Sequence, residues 1–253
     1  MDVLIVPVLR DNYSYLLVDR GRAIAVDPGE AAPVIAALEV NDLELVAVLA
    51  THHHADHVGG IGELRALLPR LSVFGSEPDR IPEVTHPVAP GAKIEVLGVT
   101  GEVLDVHCHT RGHVAYRFGD VLFTGDTLFA GGCGRFFEGD ARDMRAAFDT
   151  LLALPLGTQI FCGHEYTVKN LEFALTIEPD NRAIAAKLED ARARRALGQP
   201  TVPTTLAEEL TYNPFLRSSR PELCEAVARK TEERPRDGVE TLAALRRLKD
   251  QFT

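Results

Sequence analysis

Between residues 45 and 60, a stretch too apolar to meet water runs directly into four histidines and an aspartate: Leu45-Val46-Ala47-Val48-Leu49-Ala50, then Thr51-His52-His53-His54-Ala55-Asp56-His57-Val58-Gly59-Gly60. An unbroken apolar run of this length is the pattern of a strand buried on both faces, so structure must cover it on either side. Side chains two apart on extended backbone point the same way. His52 and His54 can therefore converge on one ion, while Asp56 and His57, beyond the strand, can face a second. His53 points away from its neighbours and reads as structural. Gly59 and Gly60 let the backbone turn sharply into a helix beginning near residue 61. Imidazole and carboxylate donors suit zinc, iron or manganese, and the lack of cysteine donors argues against a purely structural zinc site.

Around this cluster the first two-thirds of the chain alternate like short strands, at residues 3–7, 14–19, 23–26, 72–75, 93–97, 103–107, 114–118, 121–124 and 159–162. Helical spacing appears between them at 31–39, 61–68 and 140–152, the last with Asp140 placed as an N-cap. Helices mixed among strands imply a layered α/β core. Beyond residue 165 the spacing is helical, at 169–177, 181–197, 221–230 and 238–251. Residues 198–214, with Pro200, Pro203 and Pro214, read as an extended connection over the surface. The chain thus divides into a mixed domain, 1–165, and a small helical domain, 166–253.

Charge and composition narrow the partners. Lys and Arg number 27 against 37 Asp and Glu, a net charge of −10, which argues against a broad nucleic-acid surface. No apolar run reaches the roughly 18–20 residues of a membrane span. The start of the chain has neither the basic residues nor the apolar stretch of a signal peptide, so a cytoplasmic monomer is expected. Cys108, Cys133, Cys162 and Cys224 form no CxxC pair; they read as reduced, packed thiols with no assigned role.

Three further segments place donors beside strands: Cys108-His109-Thr110-Arg111-Gly112-His113, Phe123-Thr124-Gly125-Asp126-Thr127 and Cys162-Gly163-His164-Glu165. With HxHxDH at 52–57, this series resembles the metallo-β-lactamase superfamily. The resemblance implies a four-layer αββα sandwich with the site at one edge of the two sheets. Carried over by motif position, it assigns His52, His54 and His113 to one metal and Asp56, His57 and His164 to another, with Asp126 bridging. Alternation reads His107 and His109 as packing or supporting residues, and His86 as surface. Asp27, in Val26-Asp27-Pro28-Gly29, is either a turn former or a buttress for a ligand imidazole.

Such a pair of ions, offset by Asp56, Asp126 and a bridging hydroxide, leaves a site of about +1 charge that stabilises a developing oxyanion. A thiolate leaves without an obligatory acid, so the chemistry favours esters and thioesters. Further segments are similar to the glyoxalase II family: Gly131-Gly132-Cys133-Gly134-Arg135-Phe136-Phe137-Glu138-Gly139, Cys162 through Thr167, Tyr212-Asn213-Pro214-Phe215, and Arg246-Arg247-Leu248-Lys249-Asp250-Gln251-Phe252. The resemblance covers essentially the whole chain. It implies hydrolysis of S-(2-hydroxyacyl)glutathione, such as S-D-lactoylglutathione, by a metal-bridging hydroxide, the second step of methylglyoxal detoxification.

Asp56 and Asp126 are the catalytic candidates, with zinc expected first and iron or manganese as alternatives. Arg246 and Lys249 would grip the glycine carboxylate of glutathione, with Arg135, Phe137 and Tyr166 completing the contacts. Two positions depart from the family pattern: Arg135 stands where Lys is frequent, and Phe137 where many members have Tyr. The alternative within the superfamily is a glutathione persulfide dioxygenase with a single iron. An RNA-processing nuclease would need a basic face that is absent here, and a non-catalytic metal-binding protein would not need so complete a ligand set.

Overall fold

Strand alternation builds the molecule in layers. The computed structural model describes residues 1–231 and 233–252. Its first sheet contains β1 (Asp2–Val8), β2 (Asn12–Asp19), β3 (Arg22–Val26), β4 (Glu44–Ala50), β5 (Ser72–Ser76) and β6 (His86–Val88), in that spatial order. β1 to β3 form an antiparallel meander and β3 to β6 run parallel. The second sheet contains β7 (Lys93–Val96), β8 (Val99–Asp105), β9 (Val114–Phe118), β10 (Val121–Gly125), β13 (Gln159–Cys162) and β14 (Thr204–Thr205), in the order β14-β13-β10-β9-β8-β7. Only β10 and β13 are parallel neighbours in it. A small hairpin, β11 (Leu128–Phe129) with β12 (Gly132–Cys133), follows β10.

Successive side chains point to opposite faces, so each strand feeds two layers. Tyr15, Leu17, Ile24, Val26 and Leu49 face the other sheet, where Tyr116, Phe118, Phe123 and Phe161 meet them. Leu16, Ala25 and Val48, the alternate residues, pack outward on α1 (Ala31–Val40) and α3 (Ile61–Leu67) through Val34, Leu38, Ile61 and Leu64. On the far side Ala115, Leu122 and Ile160 are covered by α4 (Ala141–Leu152). This helix buries Met144, Ala147, Phe148 and Leu151, spaced i, i+3, i+4, i+7. Its start is held by a reciprocal capping box between Asp140 and Asp143. Helix layer, sheet, sheet, helix layer is the expected four-layer sandwich.

The remaining helices are α5 (Thr167–Ile177), α6 (Arg182–Ala196), α7 (Leu206–Tyr212), α8 (Pro221–Lys230) and α9 (Gly238–Asp250), with the single turn α2 (Ala55–Val58) earlier in the chain. Phe215, Leu223, Leu242 and Leu245 join Leu122, Phe148 and Ile160 in one apolar cluster, so helices beyond residue 165 complete the outer layer over the second sheet.

Two expectations need correction. Residues 198–214 are not a surface connection: Thr201 and Val202 are buried, Thr204–Thr205 pairs with the edge of β13, and 206–212 is helical. A capping box between Thr205 and Glu208 starts that helix, and burial of Leu206, Glu209 and Tyr212 holds it down. The strand expected at 103–107 lies at Val99–Asp105, which puts Cys108 to His113 entirely in a loop. Among the described residues, no helix is long and apolar enough to cross a membrane.

Candidate metal centre

The carboxyl ends of β3, β4, β10 and β13 open at one edge of the sandwich, which is where their loops can gather side chains. β4 delivers Thr51 to His57, β10 delivers Asp126 and β13 delivers His164. The close approach relies on glycine at two positions. Gly125 has φ +48°, and a Cβ there would stand 2.4 Å from Thr51 Oγ1. At Gly163 it would fall 2.4 Å from Asp126 Oδ1 and 2.6 Å from His57 Cε1.

Two triads result. His54 Nδ1 lies 3.1 Å from His52 Nε2 and 3.0 Å from His109 Nε2, so three imidazole nitrogens converge on one point. Asp56 Oδ2 lies 3.3 Å from His164 Nε2 and 3.8 Å from His57 Nε2. Asp126 stands between the triads, with Oδ1 3.3 Å from His57 Nε2, and Oδ2 3.3 Å from His164 Nε2 and 3.5 Å from His109 Nε2. The donor atoms within each triad lie within 4.8 Å of one another. Among the described residues, His57 Nε2 and Asp126 Oδ1 are buried and find no hydrogen-bond partner, a costly arrangement unless something else binds them. Two divalent cations with oxygen and nitrogen preference fit this donor set.

His52, His54, Asp56, His57, Asp126 and His164 thus lie together, and His113 does not join either triad. Its Nε2 accepts the Asp126 backbone N–H at 3.1 Å, and its ring stacks on His52 with centroids 4.6 Å apart. His109, read from the sequence as a supporting residue, occupies the third corner of the first triad. Between Asp105 and Val114 the chain is not a strand, so alternation carries no information about which histidine faces the cluster.

A second ring of groups aims these donors. Asp27, at φ +49° just beyond β3, accepts from His57 Nδ1 at 3.0 Å and from the Thr51 N–H and hydroxyl at 2.7 Å each; it is a buttress. Asp11 Oδ1 faces His164 Nδ1 at 3.1 Å, Asn12 Nδ2 donates to Asp56 Oδ2 at 2.9 Å, and His109 Nδ1 donates to the Arg135 carbonyl at 2.9 Å. With Nδ1 of His57, His109 and His164 so engaged, Nε2 of each is left for the centre. Asp11 and Asn12 were legible only as a turn, because their partners, His164 and Asp56, stand 153 and 44 residues away. Burial, reinforced by positive neighbours, holds His52, His54 and His109 below the ordinary imidazole range, in the neutral form that binds metal. Burial opposes ionisation of Asp126, but the imidazoles of His57 and His164 beside it outweigh burial and hold the carboxyl well below its ordinary range.

The centre floors a cleft of about 580 Å³ whose wall includes Arg135, Phe137, Tyr166, Lys169, Arg246 and Lys249. Tyr166 stacks on His164, centroids 4.6 Å apart and planes 7° from parallel. Phe137, 58% exposed, leans on His109 at 5.1 Å. Arg246 is buried, donates to the Cys133 carbonyl at 2.9 Å and to Asp250 Oδ1 at 2.9 Å, and lies over the Phe215 ring. Lys249 donates to the Lys169 carbonyl at 3.0 Å between the rings of Phe173 and Phe252. Burial, then the nearby charges of Arg246 and Lys169, push its ammonium down to about 8. Asp250, unassigned from the sequence, also meets Arg135 Nε at 3.3 Å and so joins the two arginines.

Comparison with known proteins agrees with this geometry. Residues 165–252 match the family described as "Hydroxyacylglutathione hydrolase C-terminus", and residues 8–73 and 71–164 match "Metallo-beta-lactamase superfamily". A hydroxyacylglutathione hydrolase of Halorhodospira halophila is 51% identical over 246 residues, covering 96% of each chain. The cytoplasmic hydroxyacylglutathione hydrolase of Arabidopsis thaliana is 45% identical over 263 residues, covering 100% of this chain and 99% of its own. The crystal structure of ETHE1 from Myxococcus xanthus superposes with a TM-score of 0.64 at 25% identity, over 96% of this chain and 99% of that one. Sequence, fold and the paired His/Asp triads together place this chain in the hydroxyacylglutathione hydrolase family of the metallo-β-lactamase superfamily.

Proposed function

We propose that this protein hydrolyses the thioester of S-(2-hydroxyacyl)glutathione, such as S-D-lactoylglutathione, to glutathione and a 2-hydroxy acid. The observation that carries the reading is a single cleft lined by His54, His109, Asp56, Asp126 and His164 of the centre together with Arg246 and Lys249 of α9. In this reading His52, His54 and His109 hold one ion, Asp56, His57 and His164 the other, and Asp126 stands between them. Zinc is the proposed metal, with iron and manganese compatible with the same donors. Two bound divalent ions supply Lewis acidity toward the thioester carbonyl and hydroxide at neutral pH.

The residues of the chain do the rest. Arg246 and Lys249 bind the glycine carboxylate of glutathione, and Arg135 adds a further donor to the peptide. Tyr166, flat on His164, and Phe137, against His109, flank the acyl group and restrict water. Asp56 is the more open of the two carboxylates, 39% exposed against 9% for Asp126, and Oδ2 is oriented by Asn12. It is the group placed to take the proton that water loses in becoming the hydroxide nucleophile. The thiolate of glutathione then leaves without needing an acid. Reduced, largely buried cysteines and the named location of the Arabidopsis relative support a cytoplasmic setting.

Loss of thioester absorbance on mixing purified protein with S-D-lactoylglutathione tests the reading. Turnover should vanish on chelation, return with zinc, and be abolished in Asp126→Ala; turnover that survives complete metal removal would end it.

A further inference from the structure

Asp79 ends a short 3-10 turn (Glu77–Asp79) after β5, far in sequence from every donor of the centre, and is only 3% exposed. Among the described residues no Lys or Arg forms an ion pair with it, and a carboxylate so buried is costly unless several donors satisfy it. Four groups surround this one. Oδ2 accepts the His53 backbone N–H at 2.6 Å and the Thr110 hydroxyl at 3.0 Å, Oδ1 accepts the Gly112 N–H at 2.9 Å, and the His53 Nδ1 stands 3.2 Å from Oδ2. Gly112 is pressed against the turn so closely that a Cβ would lie 2.6 Å from the Asp79 nitrogen. On the outer side Glu138 accepts the Arg111 N–H at 2.7 Å and lies 3.9 Å from His53 Nε2, which closes the same loop from above.

These partners share one property. His53 sits between His52 and His54, and Thr110 directly follows His109, so Asp79 ties together the two backbone segments that supply the first triad. Its hydrogen bonds reach none of Asp56, His57 or His164. We infer that Asp79 is a positioning residue for the His52/His54/His109 triad alone, setting the separation of the 52–54 and 109–112 segments and hence the affinity of one of the two metal positions. The inference rests on the two-ion reading above. Charged hydrogen bonds to backbone N–H groups are the strong kind, and groups that orient metal donors typically govern 10- to 100-fold in affinity. A merely structural carboxylate would lower stability without distinguishing one triad from the other.

The test uses zinc binding to full-length protein, measured by competition with a chromophoric chelator, with circular dichroism as a check on folding. Wild type should bind two equivalents; binding of none or one would overturn the two-ion reading and this inference with it. Asp79→Asn is then combined with single-triad backgrounds. In His164→Ala, which keeps the first triad, Asp79→Asn should weaken the remaining zinc by about tenfold or more. In His109→Ala, which keeps the second, the same change should alter zinc affinity by less than about twofold. If Asp79→Asn fails to fold, Thr110→Val removes one of the carboxylate's three hydrogen bonds and should show the same asymmetry at smaller size. Equal weakening in both backgrounds, or none in either, would show that Asp79 does not position the first triad.

Discussion

At the scale of single residues, the centre depends on which nitrogen each histidine turns inward. His109 and His113 lie four apart in one loop, yet only His109 reaches the first triad, while His113 receives the Asp126 N–H. His109→Ala should therefore lose one equivalent of bound metal and at least about 100-fold in kcat/KM. His113→Ala should retain both ions but lose about 2 kcal/mol of stability, because it orphans a buried N–H. Metal content and urea denaturation of the two variants separate these roles, and the reverse pattern would reinstate His113 as a donor. Lys249 makes a pH prediction. A lysine pushed down to about 8 loses its proton as pH rises through that value, and the substrate carboxylate, ionised throughout, then loses its partner. KM should rise roughly tenfold between about pH 7 and about pH 9, and Lys249→Arg should abolish the rise. Lys249→Ala should raise KM while leaving kcat nearly unchanged; an unaltered KM would remove Lys249 from the binding site.

At the scale of elements, α7 ties the edge of the second sheet to the β11–β12 hairpin that borders the cleft. Glu209 on α7 is fully buried and accepts from the Gly131 N–H at 2.9 Å, Asn213 Nδ2 at 2.8 Å and the Tyr212 hydroxyl at 2.8 Å. Burial outweighs these donors and raises its carboxyl from 4.5 to about 7. A folded-state pKa above the unfolded one means that the folded protein binds the proton more tightly. The resulting stability is fully present below about pH 4.5 and is lost as pH climbs to about 7. The difference in unfolding free energy between wild type and Glu209→Gln should change by up to ~3 kcal/mol across that interval. A pH-independent difference between the two would mean that Glu209 stays ionised in the fold.

At the scale of the whole molecule, the helices beyond residue 165 share a core with α4 and the second sheet, through Phe148, Phe215, Leu223 and Leu245. Unfolding should accordingly be one cooperative transition, coincident by near- and far-ultraviolet dichroism, and a fragment ending at residue 165 should expose the side of α4 that packs on α9 and aggregate. Two separate calorimetric transitions would show independent cores. What the amino-acid order determined by itself was local: the buried strand before the histidines, the cap at Asp140, and the motifs at 52–57, 126 and 164, all carried by periodicity or by neighbours in the chain. The choice of His109 over His113, the service of Asp11, Asn12 and Asp79, and the folding of residues 198–214 onto the edge of β13 were decided only in three dimensions. Each depends on a group distant in the chain, as His54 is 55 residues from His109 and His53 is 26 from Asp79, and no local pattern encodes the direction from which such a partner arrives.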